Sequence, residues 1–325
     1  MKVFNAMMRV VAVCVLMGLA GAAAAQQAYP NRPVRLISPN APGGSTTLLG
    51  RIIAQKLTER LGQQVILENR AGGNGFIAGE AVAKSPPDGY TLLIITNTHL
   101  ITPLLIPAPY DTVKDFAPVG QFARNETILV VHPSVPANSL QEFIALAKSK
   151  PGQLNYASSG GGSPLHLSTV LFERMTGVTM QHIPYKGGGP GVIDLIGGQV
   201  QLSFQTPIAV TGHVKAGRLK ALAITGKQRS PGLPQVPIFI EAGLPGFDGI
   251  SSAQGIIAPV GTPREIINKL AAEIANVVAM PDTKEKLIDQ GAEPFTSTPE
   301  QFAATIKTDI ARFAKLIKEA NIKID

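Results

Sequence analysis

The hydrophobic residues of the chain recur with two different periods, and the change between them marks a strand, a turn and a helix in close succession. Val34–Ser38 is a short, apolar and partly β-branched run, which predicts a buried strand. Pro39–Gly44 follows with two prolines and two glycines, which predicts a turn. From Thr46 onward the apolar residues recur at helical spacing until Gly62, so a helix is predicted to end there.

Four further segments repeat this order without sharing sequence identity with the first, so we interpret them as recurring βα units. In open α/β sheets, ligands bind at the carboxyl ends of the strands, where such turns gather. The turns are therefore predicted to line one cleft. The strands of these units are predicted at Val65–Glu68, Leu154–Ser158, His182–Tyr185 and Val200–Phe204, and their helices begin at Phe76, Leu165, Val192 and Ile208.

The rest of the pattern predicts further strands and helices around these units. Tyr110–Val119 is interpreted as loop and turn. Capping boxes at Ser139, Thr262 and Thr298 predict three more helices. The remaining strands are predicted at Leu92–Thr96, Thr127–Val131, Leu219–Thr225 and Ile256–Ala258.

Two extended segments are the natural crossings between two α/β lobes, one near Thr127–Val131 and one near Gln254–Ala258. The first lobe is predicted to contain residues 26–125 and 255–325, and the second lobe residues 126–254. Two lobes joined by two strands form a hinge that closes on a ligand. The predicted fold class is therefore α/β, with two lobes and two crossing strands.

The N-terminal segment has the features of a secretory signal peptide. Lys2 and Arg9 precede the apolar run Val10–Ala20, and Ala23–Ala25 provides a small-residue cleavage site. The run is shorter than a membrane-spanning helix needs. Cys14, the only cysteine, lies within this segment, so the mature chain is predicted to lack disulfides and thiol chemistry. We expect cleavage of residues 1–25 and export to the periplasm.

The charge of the chain favours a small anion as partner and disfavours nucleic acid. The formal charge is +7, and removal of Lys2 and Arg9 with the signal peptide leaves +5, since residues 1–25 contain no acidic side chain. A mildly positive surface attracts small anions. The basic residues are scattered and aromatic residues make up 5% of the chain, so a nucleic-acid surface is not indicated.

The turns themselves are the candidate ligand site. A glycine-rich turn that leads into a helix directs backbone N–H groups and the positive end of the helix dipole toward one point, which suits a carboxylate or a phosphate. The hydroxyls there either bind a ligand or only cap the helix, and His166 either holds an anion or is satisfied by the backbone. The candidates are Gly43, Gly44, Ser45, Thr46 and Thr47 in the first lobe, and Ser159, Gly162, Ser163, His166, Gly187, Gly188 and Gln205 in the second.

No catalytic, cofactor or metal motif is complete. Gly73–Ala78 matches G-x-G-x-x-A, but the next strand leads into Asn97 where a ribose-binding acid is needed. Gly43–Thr46 lacks the lysine of a phosphate-binding loop, and no G-x-S-x-G motif occurs. The five histidines lack metal-ligand spacing, and Asp194 and Asp248 have no carboxylate partner in the sequence pattern. We therefore predict a non-enzymatic protein without cofactor or metal.

Several longer motifs follow one another along the mature chain. They include Ala41-Pro42-Gly43-Gly44-Ser45-Thr46, Glu68-Asn69-Arg70-Ala71-Gly72, Pro87-Asp88-Gly89-Tyr90, Asn155-Tyr156-Ala157-Ser158-Ser159-Gly160, Pro184-Tyr185-Lys186-Gly187-Gly188 and Ala258-Pro259-Val260-Gly261-Thr262-Pro263. In these motifs, residues 29–325 resemble the Bug-type receptors of the tripartite tricarboxylate transporter family. The resemblance implies a periplasmic Venus-flytrap protein, similar to type II, that binds a small carboxylate through loop amides and ordered waters. It also implies delivery to membrane permease subunits, or in some cases to a sensor kinase.

Departures from the family pattern bear on the ligand. Family members often have an aromatic residue where Asn40 stands, which adds Asn40 to the candidate site, and an aspartate where Thr47 stands. They usually have aromatic residues at Ala253 and Gln254, and an acid or asparagine-type residue at Gln205. The missing acids remove partners for a ligand ammonium group, so we predict a carboxylate without a basic amine.

The sequence thus favours a monomeric solute receptor whose partners are a small carboxylate and a membrane permease. Three alternatives stay open at this point. One is an exported α/β hydrolase or lyase that acts on a carboxylate, and the second is a receptor that serves a sensor instead of a permease. The third is a scaffold role without a partnered permease.

Overall fold

Two β-sheets organise the computed structural model of the chain, which describes residues 29–40, 42, 45–185, 188–247, 249–250, 252–319 and 322. The predicted signal peptide, residues 1–25, lies outside the described residues. The strands are β1 (Val34–Ser38), β2 (Val65–Asn69), β3 (Thr91–Ile95), β4 (Phe116–Asn125), β5 (Ile128–Val131), β6 (Asn155–Ser158), β7 (Gln181–Pro184), β8 (Leu202–Gln205), β9 (Lys220–Ile224), β10 (Ser252–Pro259) and β11 (Glu293–Pro294). The helices are α1 (Ser45–Leu61), α2 (Phe76–Ala83), α3 (Asn97–Ile101), α4 (Leu140–Ser149), α5 (Pro164–Thr176), α6 (Gly188–Ile196), α7 (Pro207–Lys215), α8 (Arg264–Ala279), α9 (Pro281–Asp289) and α10 (Pro299–Glu319).

The first sheet has six strands in the order β11-β4-β10-β3-β1-β2, and the second has five in the order β7-β6-β8-β5-β9. Strand β1 pairs in parallel with β2 and β3, and β6 pairs in parallel with β7 and β8. Helices that follow these parallel strands therefore begin at one edge of each sheet, as the βα units predicted. The α/β fold class is confirmed.

Each sheet is buried on both faces. In the first sheet, Leu36 and Ile94 face α1 and α8, while Ile37 and Leu93 face the opposite side with α10. In the second sheet, Phe204 is fully buried among other phenylalanines. Burial of both faces explains why these strands are continuous apolar runs in the sequence.

Two local predictions were wrong. The segment Tyr110–Val119, interpreted as loop, contributes to β4, a strand of ten residues. Its pairing with β10 has register shifts between Gln254 and Gly255 and between Ile256 and Ile257, and such bulges disrupt the alternation by which strands are detected. The Thr262 hydroxyl donates to the carbonyl of Pro259 at 2.8 Å instead of capping α8.

The chain passes between the sheets twice. It leaves the first sheet after Asn125 and enters the second at Ile128, and it returns to the first sheet at β10. At this junction the N–H of Thr127 donates to Oγ1 of Thr225 at 2.8 Å. The second predicted lobe boundary, between residues 254 and 255, lies inside β10.

Helix α5 of the second sheet contacts the first-sheet elements directly. Leu167 is fully buried in a cluster with Leu100 of α3 and Phe302 of α10. The N-terminal half of α5 therefore lies against the other lobe. In the part of the chain that the structure describes, no helix combines the length and apolar character that a membrane crossing requires.

Candidate functional site

The first half of the site is an asparagine–threonine network at the carboxyl ends of β1 and β2. Ser38 and Asn69 are opposite each other in the parallel pairing of these strands. The Asn69 side-chain amide donates to the carbonyl of Asn40 at 2.7 Å and to Oγ1 of Thr47 at 2.8 Å. The Asn40 side-chain amide donates to Oγ1 of Thr46 at 2.9 Å. The network thereby fixes the first turn of α1 against the strand ends.

The charged groups beside this network form one cluster, in which a single carboxylate pairs with two guanidinium groups and the net charge is +1. Glu68 accepts from the Arg35 guanidinium at 2.7 Å and from the Arg70 guanidinium at 2.6 Å. These hydrogen bonds, first from Arg35 and then from Arg70, lower the pKa of the Glu68 carboxyl. The described side chains that hold the turn before α1, in contrast, are uncharged amides and hydroxyls.

The second half of the site is the turn between β6 and α5. Gly160 N–H donates to Oγ of Ser158 at 3.1 Å, and Gly162 N–H donates to Nδ1 of His166 at 2.9 Å. Oγ of Ser163 accepts from His166 N–H and so caps α5. Gly160 and Gly162 have φ angles of 128° and 71°, in the region that favours glycine.

A stack of aromatic rings lies beneath this turn. The rings of His166 and His182 are 4.0 Å apart and inclined by 6°, and the Tyr156 ring is 4.9 Å from that of His182. His182 Nε2 lies 2.6 Å from Oγ of Ser158. Burial, and then the neighbouring His182, lower the pKa of His166 to about 4. Burial also lowers the pKa of His182. Both imidazoles are therefore neutral at neutral pH.

Gln205 joins the site from the end of β8. Its side chain is buried, and its amide nitrogen donates to Oγ of Ser203 at 2.9 Å. Its Oε1 lies beside Gly188, the first residue of α6. A Cβ added to Gly188 would be 3.3 Å from this oxygen. Gly188 and Gln205 are thus adjacent.

The predicted site residues fall into three local groups. Asn40, Thr46 and Thr47 form one with Ser45, the first residue of α1. Ser159, Gly162 and Ser163 lie in the β6–α5 turn and His166 in the first turn of α5, and Gly188 is adjacent to Gln205. Gly43, Gly44 and Gly187 lie outside the described residues.

Sequence reasoning missed four residues that hold these groups. Asn69 and His182 were noted only as parts of a motif or a strand, and Ser158 and Tyr156 were not singled out. For Asn69 and Ser158 the available signal was their position at the carboxyl ends of parallel strands, since such residues meet at one edge of a sheet.

Glu173 on α5 is expected to lower stability as pH rises. Burial raises its pKa from 4.5 to about 7, while a 2.7 Å hydrogen bond from Met180 N–H acts in the opposite direction. Between these two pKa values the native state binds more protons than the unfolded state, so stability falls with increasing pH.

In Glu173→Gln the melting temperature should fall less as the pH rises between these two pKa values. Glu285→Gln, at an exposed position on α9, should match the wild type; an unchanged pH profile for Glu173→Gln would contradict the prediction.

Comparisons with known proteins place the chain among solute receptors. The family described as tripartite tricarboxylate transporter family receptor matches residues 49–322. Rpa4515 of R. palustris, solved with adipate, is 38% identical, with a TM-score of 0.83 over 92% of this chain and all of that chain. MatC from Rhodopseudomonas palustris, solved with bound malate, is 32% identical, with a TM-score of 0.77 over 89% of this chain and all of that one. The periplasmic binding protein BugD is 31% identical, with a TM-score of 0.79 over 91% of this chain and all of that one.

Proposed function

Because the chain belongs to the tripartite tricarboxylate transporter receptor family, we propose that it captures a small organic carboxylate and delivers it to the permease subunits of such a transporter. The family and its solved relatives are periplasmic solute-binding receptors, so the chain is a receptor and not an enzyme. This family membership removes the hydrolase or lyase alternative. The ligand, the way it is held and the transporter partner are what we propose.

One observation carries the proposal: two uncharged turns stand at the N termini of long helices. Helix α1 has 17 residues and α5 has 13. A helix N terminus carries a partial positive charge and unpaired N–H groups, which favour a carboxylate. The described candidate residues of both turns form amide and hydroxyl networks. None of these described residues is acidic, so none of them repels an anion.

We infer that the ligand is held between the two turns by closure of the lobes. The lobes are residues 26–125 with 255–325, and residues 126–254, and they hinge where the chain crosses between sheets. Each charge-assisted hydrogen bond to a carboxylate is worth about 1.5–3 kcal/mol, so a few suffice for micromolar affinity, about −8 kcal/mol. The ligand-binding residues we propose are Asn40, Gly43, Gly44, Ser45, Thr46 and Thr47 on one side, and Ser159, Gly162, Ser163, His166, Gly187, Gly188 and Gln205 on the other.

The ligand proposed is a dicarboxylate without a basic amine. Thr47 and Gln205, where an ammonium group would need an acid, are neutral and hydrogen bonded to Asn69 and Ser203. A ligand ammonium buried beside neutral groups would lose its hydration without gaining a counter-charge. Adipate and malate, the ligands of two solved relatives, are dicarboxylates that lack an amine.

Titration calorimetry against adipate, malate, aspartate and glutamate tests this proposal. We expect stoichiometric binding of a dicarboxylate without an amine, with the two amino acids weaker by at least about tenfold. Tight binding of aspartate or glutamate alone would refute the ligand class. Uptake of labelled ligand by cells with and without the gene tests the transporter role, and unchanged uptake would refute it.

A further inference from the structure

The β6–α5 turn is held from inside by His166. Gly162 N–H points to Nδ1 of His166, at 2.9 Å, so this nitrogen accepts a hydrogen bond and carries no proton. The single ring proton of the neutral imidazole is therefore on Nε2. Only 8% of His166 is exposed. The shape of the turn around Gly162 thus depends on an unprotonated nitrogen.

The second histidine fixes the ring of the first. His182 stacks on His166 and is itself stacked on Tyr156, its direct partner in the parallel pairing of β6 and β7. His182 also contacts Ser158, whose Oγ accepts from Gly160 N–H. Two of the three glycine amides of the turn are consequently tied to this stack, that of Gly162 directly and that of Gly160 through a serine.

Protonation of His166 is incompatible with this arrangement. A proton on Nδ1 would face the Gly162 N–H, so two donors would meet and the hydrogen bond would be lost. The described titratable groups around the ring are His182 on β7, Tyr156 on β6 and, further along α5, Glu173, which interacts with Tyr156. Among these described groups, no carboxylate is hydrogen bonded to His166 to compensate an imidazolium.

We propose that His166 is a positioning residue, whose neutral Nδ1 keeps the second-lobe turn in its ligand-binding shape, and that acid releases the turn and its ligand. The inference rests on the proposed function for the ligand, but the state of the turn itself is measurable without one. Burial and the adjacent His182 lower the pKa of His166 to about 4, so the release is expected only in acid and not near neutrality.

The first test uses the ligand-free protein. In ¹⁵N NMR, His166 should be the Nε2–H tautomer at neutral pH, and the Gly162 amide resonance should shift with the same midpoint as His166 on acidification. A proton on Nδ1 at neutral pH would overturn the proposal. A Gly162 amide that does not respond when His166 titrates would also overturn it.

The second test uses adipate as the probe and compares His166→Asn, His166→Leu and His132→Asn. Asparagine places Oδ1 where Nδ1 lies, so it accepts from Gly162 and does not titrate; leucine removes the acceptor. His132, which bonds Ser134 in a different loop, is the matched control. At neutral pH we expect His166→Leu to weaken binding by about tenfold or more, because a buried N–H loses its partner. His166→Asn, which keeps an acceptor for that N–H, should bind more tightly than His166→Leu.

At about pH 3.5, where a His166 with a pKa of about 4 is mostly protonated, the wild type and His132→Asn should lose more affinity than His166→Asn. Equal losses in all three would overturn the proposal, because the adipate carboxylates titrate identically in each measurement. If the wild type binds no adipate at neutral pH, that result counts against adipate as the ligand of the proposed function. The NMR measurement then decides the role of His166 alone.

Discussion

Asn69→Asp is expected to weaken dicarboxylate binding by about two orders of magnitude or more. The native amide donates to the carbonyl of Asn40 and to Oγ1 of Thr47, and a carboxylate supplies no donor to either. Each hydrogen bond lost at such a site costs about 1–3 kcal/mol. The new negative charge also stands at the N terminus of α1, where it competes with the ligand anion. Calorimetry with adipate and malate measures the effect.

Two further variants separate the causes. Asn69→Leu removes the donors without adding charge and should weaken binding less, by about tenfold. Asn138→Ala removes an amide from the outer surface of the second lobe, where it accepts from Lys220, and should bind as the wild type does. Affinity within twofold of wild type for Asn69→Asp would show that the first turn of α1 does not hold the ligand.

Phe204→Ala is expected to destabilise the second lobe by about 3–5 kcal/mol. Its ring is fully buried and lies 5.9 Å from Phe172, 6.0 Å from Phe239 and 5.5 Å from Phe247. Removal of the ring leaves a cavity at the centre of this cluster, and the surrounding rings, held by the sheet and by α5, relax only in part.

Urea unfolding followed by circular dichroism measures this loss. Since the cluster around Phe204 is built from second-lobe residues and the cluster around Leu36 from first-lobe residues, the variant should unfold in two steps, with the second lobe first. Phe295→Ala, a half-buried ring that stacks with Arg124 at the edge of the first sheet, should cost much less. A loss below about 1 kcal/mol for Phe204→Ala would contradict the packing described.

The accuracy of the sequence predictions varied with the kind of interaction that forms each element. Val34–Ser38 is a strand at the residues predicted, because a parallel strand buried on both faces needs an unbroken apolar run. The reciprocal capping box of Thr298 and Gln301 is confirmed, since its two bonds span only three residues. The capping box predicted at Thr262 does not form, because the Thr262 hydroxyl donates a hydrogen bond to the nearby carbonyl of Pro259 instead.

The turns of the candidate site were predicted for the same reason, whereas their role in ligand binding stays a prediction. The turns at Thr46 and Ser163 were found because a strand, a glycine turn and a helix are encoded locally. Asn69 and His182 were missed, because Asn69 reaches Asn40 across 29 residues and His182 reaches Ser158 across 24. The spacing of residues in a sequence does not indicate which strand ends become neighbours across a sheet.

The sequence by itself determined the α/β class, the strand–turn–helix units, the family and an uncharged candidate site, because each depends on local periodicity or contiguous motifs. The tertiary structure decided that Asn69 donates to the first turn of α1 and that the His182 ring stacks on His166 beneath the β6–α5 turn. Those contacts arise only when parallel strands pair in register, since the pairing brings distant residues to the same edge of a sheet.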